Sequence, residues 1–206
     1  MVDGTTMKLL DLFCGAGGAA MGYHRAGFDV IGVDLELQPN YPFEFVQADA
    51  LNPPFDLTRF DAIHASPPCQ AYAPVTAWRG RHSDHPDLLE PTADLLVAAG
   101  VPWVIENVPG APREPELVLC GTQLGLRVRR HRWFWTSWGQ FAMAAPCRHA
   151  PSDYAFDHGG KQPESVYRDA MGCEWMTVRE SRNAIPPAYA EFIGAQLIDH
   201  IHGAAA

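Results

Sequence analysis

Between residues 7 and 108 the chain repeats one pattern: a short apolar run that stops abruptly at polar, glycine or proline residues. Runs at 7–13, 29–34, 43–49, 60–66 and 101–108 each read as a strand. Between them, residues 14–28 open on glycines and become helical, and 87–100 has helical spacing up to a glycine, with Pro91 expected to kink it. Strand–helix–strand alternation with short connections predicts an α/β fold, a mostly parallel sheet with helices on both faces. Ligands of such sheets bind at the carboxyl ends of the strands. The polar residues that end the runs fall there: Asp34, Asp49, Ser66 to Gln70, and Glu106-Asn107.

Past residue 110 the pattern weakens. Residues 116–138 read as a turn followed by a strand, and 139–170 as a loop-dominated insertion. A closing helix is expected over 185–203, with proline near its start. The expected organisation is a core over 1–138, a short loop-rich insert over 139–176, and a C-terminal helix within 177–206 that returns to the core. With 206 residues, 47% of them hydrophobic, one well-packed domain is affordable. No apolar run approaches the roughly 20 residues that cross a bilayer. No basic region precedes the first apolar run, so a signal peptide is not expected. The five cysteines (Cys14, Cys69, Cys120, Cys147, Cys173) form no tight framework, which points to a reduced, cytoplasmic protein. A net charge of −9 argues against broad coating of nucleic acid, although "RVRRHRW" at 127–133 is locally basic.

"DLFCGAGG" (11–18) places Gly15, Gly17 and Gly18 between the first strand and its helix. Glycines there let the backbone approach a ligand and aim amides at it. The spacing is not the G-x-G-x-x-G of pyrophosphate binding. Asp34 stands where an acid accepts from a ribose, and Asp49 where one accepts from the exocyclic amine of adenine. An adenosyl ligand without a diphosphate suits this set, S-adenosylmethionine first. A tight turn followed by a solvated acid is the plainer reading.

At the fourth strand's end, "SPPCQ" holds Cys69 on a tip stiffened by Pro67 and Pro68. It reads as a small hydrophobe or as a nucleophile; near a positive group such a thiol becomes a thiolate. Glu106, in the apolar "VIENV", reads as a salt-bridged carboxylate or as a group of raised pKa that holds or donates a proton. A nucleophile and an acid beside a methyl donor suit an acceptor carbon that must first be activated, and carbon 5 of cytosine is one.

In order along the chain come "DLFCGAGG", an acid after the second strand, "AD" (48–49), "PPCQ" (67–70), "ENV" (106–108), an R-x-R element (Arg130, Arg132) and "NAIPP" (183–187). In these motifs the chain resembles the DNA cytosine-5 methyltransferases, from end to end. The resemblance implies a Rossmann-like S-adenosylmethionine-dependent methyltransferase fold. It implies that Cys69 is the nucleophile, that Glu106 contacts ring nitrogen 3, and that Arg132 contacts the base oxygen with Arg130 in support. It also implies a donor pocket lined by Phe13, Gly15, Gly17, Asp34, Asp49 and Asn183, with Cys14, Gly18, Leu35, Ala50 and Pro67 beside them. The substrate would be cytosine flipped out of duplex DNA. A transfer-RNA-like substrate, or a silent nucleic-acid-binding homologue, are the rivals. A monomer is expected, and the small size fits a phage or mobile-element enzyme that masks DNA from restriction.

The chain departs from the family pattern in three places. Val128 stands where the arginine element usually begins with glutamine, and Arg182 where the closing motif has glycine. Arg182 is expected in solvent; facing the donor instead, it would favour an acidic analogue of S-adenosylmethionine. The insert is much smaller than the family's recognition domain, so short or relaxed sequence preference is expected, with Arg79, Arg81, Arg127 and Arg129 on phosphates. Cys147 and His149, with Cys120, Cys173 and His158, lack the paired C-x-x-C spacing of structural zinc. Buried thiols and surface histidines are expected there, and no metal. Trp133, Phe134, Trp135 and Trp138 are expected in strand core, and Tyr154, Phe156 and Tyr167 are candidates to face a duplex.

Overall fold

Near-continuous apolar runs suit strands covered on both sides, and the runs ending at Leu12, Ala65 and Asn107 are buried almost throughout. The computed structural model describes residues 6–73, 76, 81–139, 144–150, 154–155 and 164–204. Strands β1 (Lys8–Leu12), β2 (Asp29–Asp34), β3 (Glu44–Gln47), β4 (Ala62–Ala65) and β5 (Trp103–Asn107) pair in parallel. The stretch expected to hold one strand holds two in the main sheet, β6 (Leu117–Cys120) and β8 (His131–Thr136), with β8 antiparallel to both its neighbours. The sheet has seven strands in the order β3-β2-β1-β4-β5-β8-β6. Two short strands, β7 (Val128–Arg129) and β9 (Tyr154–Ala155), pair separately.

Helices α1 (Gly18–Ala26) and α2 (Leu89–Ala99) follow β1 and β4 in the chain; α3 (Glu164–Met171), α4 (Val178–Asn183) and α5 (Pro187–Ala204) come last. Pro91 does not kink α2. It lies in the first turn, where a backbone N–H has no intrahelical partner to lose. The insert is not all loop: α3 lies within it, and α4 follows on a capping box in which Thr177 Oγ1 accepts from the Glu180 amide and Glu180 accepts from the Thr177 amide. One sheet face packs on α1 and α5 through Leu9, Tyr23, Phe134, Tyr189 and Ile193; the other packs on α2 through Leu10, Ile63, Leu96, Ile105 and Trp135. The fold is thus the Rossmann-like α/β arrangement the sequence predicts. α1 and α5 cross so closely that a Cβ on Gly22 would sit 2.2 Å from the Pro187 carbonyl oxygen. Phe134 and Trp135 are core, as expected, and Trp138 stacks on His200. A third, small cluster of Ala16, Val128, Met171, Cys173 and Met176 fastens the insert's end beside the turn after β1.

Candidate active site

β1 lies between β2 and β4, so the sheet's order reverses there, and the loops that follow β1 and β4 emerge side by side. The first is the glycine turn. Phe13, Gly15 and Gly17 all take positive φ (56°, 48° and 83°), and the Cys14 amide donates to the Val33 carbonyl at 3.1 Å. The Gly15 amide donates to Asp34 Oδ2 at 2.9 Å, and the Glu36 amide to Oδ1 at 3.0 Å, which aims this carboxylate at the turn. A Cβ on Gly15 would meet nothing within 4 Å. On Gly17 it would meet Pro42 at 2.8 Å, and on Gly18 the Ile185 carbonyl oxygen at 2.2 Å. The open side of the turn is therefore at Gly15 alone. Gly17 and Gly18 are small so that Tyr41, Pro42 and the segment after Asn183 can close on them.

The other expected donor-site residues lie as follows. Leu35 is 70% exposed beside Asp34. Asp49 is exposed with Oδ1 accepting from the Leu51 amide, and Ala50 is buried behind it. Asn183 is exposed at the end of α4, and Pro67 is buried. The Cys14 side chain turns into the core, so only its backbone belongs to the turn. An open cradle over backbone amides, flanked by two carboxylates and an exposed apolar side chain, fits an adenosyl ligand bearing hydroxyls and an amine. Two acids would repel a diphosphate. Beneath the turn, Asp11 is fully buried, and neither carboxyl oxygen has a hydrogen-bond partner among the described residues. Burial first, and then Asp34, hold its pKa well above the usual carboxylate range.

The second loop carries Cys69. Asn107, 1% exposed, donates from Nδ2 to the Pro67 carbonyl at 3.0 Å and accepts from the Val108 amide at 2.9 Å, fastening the proline tip to β5. The Tyr72 and Ala73 amides close a turn on the Cys69 carbonyl. Glu106 faces Phe134 across β5 and β8, so Arg132, two residues along β8, shares its face. Arg132 Nε lies 2.8 Å from Glu106 Oε1, an ion pair without hydrogen-bond alignment. Burial raises the Glu106 pKa, and Arg132, Arg130 and Ser66 pull it back. Ser66 Oγ sits 2.8 Å from Nε2 of His64, a buried ring kept neutral by desolvation, with its pKa pushed down to about 3. Arg130 is buried and donates to the Arg182 carbonyl at 2.9 Å, while Tyr189 donates to the Arg130 carbonyl. Burial, and then Arg132, bring its pKa down to about 10, so it stays cationic.

Cys69, Glu106, Arg130 and Arg132 thus form one electrostatic group. Burial first, then Glu106, raise the Cys69 thiol pKa against the pull of both arginines. Val128 is wholly buried and packs against Gly121, so it supplies no polar support. The Arg182 side chain is exposed, as expected. Arg81 and Arg127 are exposed and Arg129 half-buried, whereas Arg79, Phe156, His158 and the side chain of Tyr154 lie outside the described residues. Asn107, noted in the sequence only as a polar strand end, and His64, which the sequence did not single out, lie beside this group. Of the thiols and histidines expected to be buried or at the surface, Cys120 is buried and His149 exposed, while Cys147 is exposed. Cys173 is buried in the third cluster, but Cys120, Cys147 and His149 converge, with His131 as a fourth member.

A family model described as C-5 cytosine-specific DNA methylase matches residues 7–115. The curated Type II methyltransferase M.FnuDI of Fusobacterium nucleatum is 33% identical over 82 residues, which cover 36% of this chain and 24% of that protein. The match thus spans about a quarter of that relative's length. The structure of the Entamoeba histolytica methyltransferase EhMeth superposes with a TM-score of 0.58 at 12% identity, covering 98% of this chain and 99% of that one. The S. pombe Dnmt2 methyltransferase gives 0.56 at 10% identity, covering 96% and 99%. At such identities the likeness is one of fold.

Proposed function

The chain belongs to the C-5 cytosine-specific DNA methylase family, and from that premise we propose that it transfers a methyl group from S-adenosylmethionine to carbon 5 of cytosine in DNA. The observation that carries this reading is the Cys69, Glu106 and Arg132 group at neighbouring strand ends, beside the open turn at Gly15. Bound at that turn, with Asp34 on its ribose, Asp49 on its adenine amine and Leu35 on the face of the ring, the cofactor would supply an electrophilic methyl group.

The chain's own residues do the rest. Cys69, once deprotonated, adds to carbon 6 of a flipped cytosine, and the electron pair displaced from the ring makes carbon 5 nucleophilic. Glu106 in its protonated form donates to ring nitrogen 3, where negative charge gathers. Arg132 spans Glu106 and the base oxygen. Arg130 and Asn107 are positioning residues, which hold β8 to the C-terminal segment and the Cys69 tip to β5. After methyl transfer, loss of the carbon 5 proton and expulsion of Cys69 restore the aromatic ring. The Arg182 side chain is exposed, which supports the ordinary cofactor as the donor.

A covalent trap tests this. Duplex DNA carrying 5-fluorocytosine, with S-adenosylmethionine, should give a denaturation-resistant adduct that Cys69→Ala abolishes. No adduct on any nucleic acid would overturn the reading. An adduct on transfer RNA but not on duplex or single-stranded DNA would move the same chemistry to RNA. Bisulfite sequencing of a methylated plasmid should show a short or relaxed site.

A further inference from the structure

Four side chains that play no part in the proposed chemistry meet at the sheet's far edge. Cys120 ends β6 and His131 begins β8, and the two are direct antiparallel partners. Cys147 and His149 come from the insert segment 144–150. One ligand atom from each of the four lies within 4.8 Å of the others. We propose that Cys120, His131, Cys147 and His149 bind a structural zinc ion that fastens the insert to the sheet.

The distances select this chemistry. With Zn–S of about 2.3 Å and Zn–N of about 2.05 Å at tetrahedral angles, a sulfur and a nitrogen ligand lie about 3.6 Å apart. Cys120 Sγ to His149 Nε2 is 3.4 Å, and Cys147 Sγ to His131 Nε2 is 3.7 Å. The two imidazoles meet edge to face, 74° apart in plane, rather than stacked. Two thiolates and two imidazoles are a donor set for zinc rather than for a hard oxygen-seeking cation. Four protein ligands close the coordination sphere, so the site is structural rather than catalytic. Nor is the loop's approach left to the four ligands alone. Gln123 accepts from the Cys120 amide at 2.6 Å and donates to the Ala145 carbonyl at 2.7 Å, bringing the insert to β6 from a second direction. Thr122 Oγ1 lies 3.5 Å from Cys120 Sγ, placed as an outer partner to the sulfur.

The site also bears on the proposed chemistry through the chain itself. His131 precedes Arg132, whose Nη1 donates to the His131 carbonyl at 2.8 Å. Fixing His131 therefore fixes the start of the strand that carries the guanidinium to Glu106. The third cluster fastens the insert's C-terminal end, and the ion would add a second anchor near its N-terminal end.

Elemental analysis of protein produced in zinc-supplemented medium should find about one zinc per chain. Cys147→Ser/His149→Ala should reduce it to near zero, and chelation should lower the melting temperature of wild type but not of the double variant. Cobalt exchanged into the wild type should give the visible bands of a tetrahedral S2N2 site. His149→Cys, which keeps a ligand, should retain the metal with a stronger thiolate charge-transfer band, so the proposal stays testable should the double variant not fold. Wild type without zinc, zinc retained by the double variant, or a Cys120–Cys147 disulfide in protein kept anaerobic from lysis would each overturn the site. None of these readouts depends on methyl transfer.

Discussion

Replacing Asn107 separates holding the nucleophile from being it. In Asn107→Ala the buried Pro67 carbonyl loses its donor and the Val108 amide its acceptor. Each buried group left unsatisfied costs about 1–3 kcal/mol. Allowing some relief by water, about 2–4 kcal/mol is expected, which for a chain of this size lowers the melting temperature by about 5–15 °C. Asn107→Asp keeps the acceptor for Val108 but sets an anionic oxygen against the Pro67 carbonyl, pushing the tip away. Cys69 lies two residues beyond Pro67, and a shift of about 1 Å in a reacting atom lowers rate by about 10²-fold. Both variants should therefore lose single-turnover rate and adduct formation by about that factor, measured well below their melting temperatures. KM for DNA should hardly change, because Asn107 is buried and touches no substrate. A folded Asn107→Ala protein that forms the 5-fluorocytosine adduct at the wild-type rate would refute the reasoning.

The glycine turn makes a paired prediction. Gly15→Ala should cost about 1–2 kcal/mol for its positive φ, yet lose most cofactor affinity by calorimetry, because its methyl group enters the open cradle. Gly18→Ala should unfold or strongly destabilise the protein, since the clash is with the Ile185 backbone; equal effects of the two on stability would sink the distinction. For Glu106→Gln the sign comes from the charges. Where Glu106 carries its negative charge, it holds the Cys69 thiol pKa up. Removing that charge leaves Arg132 and Arg130 unopposed, so the pH midpoint of Cys69 alkylation, followed by peptide mapping, should move down. An unchanged or higher midpoint would show that Glu106 does not set the thiol's charge.

The five parallel strands were legible because the apolar runs of β1 to β5 break off at polar, glycine or proline residues at or just beyond their ends. β6 was not, because "LVLC" is a half-exposed edge strand that runs straight into the Gly121–Leu124 turn. Cys69 and Glu106 stand out in local sequence as candidates; what sets their pKa values does not. The Cys69 thiol answers to burial and to an acid 37 positions away, quantities that only the packed sheet defines. Asn107 looked like the polar end of a strand because its partner, Pro67, lies on another one. The metal cluster was hidden for a related reason. Cys120 and His131 become neighbours only through the antiparallel register of β6 and β8, and no sequence spacing encodes that register.

What the fold adds is continuity between the two halves of the site. Leu12 pairs with Ala65, so the turn that would hold the donor and the tip that holds the thiol spring from adjacent residues of one ladder. Asn107 ties the tip to β5, Glu106 and Arg132 tie β5 to β8, and Arg130 ties the start of β8 to the carbonyl of Arg182. Three residues on, Ile185 closes over Gly18, and the circuit returns to the turn where it began. A displacement at any link thus changes the distance between thiol and donor, the quantity on which a transfer between two bound partners depends most steeply. On the proposed chemistry, this is why a positioning asparagine and a buried arginine would belong to the site although neither would reach the base. It also explains why the C-terminal segment, remote in sequence, is needed to complete a site whose chemistry lies on the central strands.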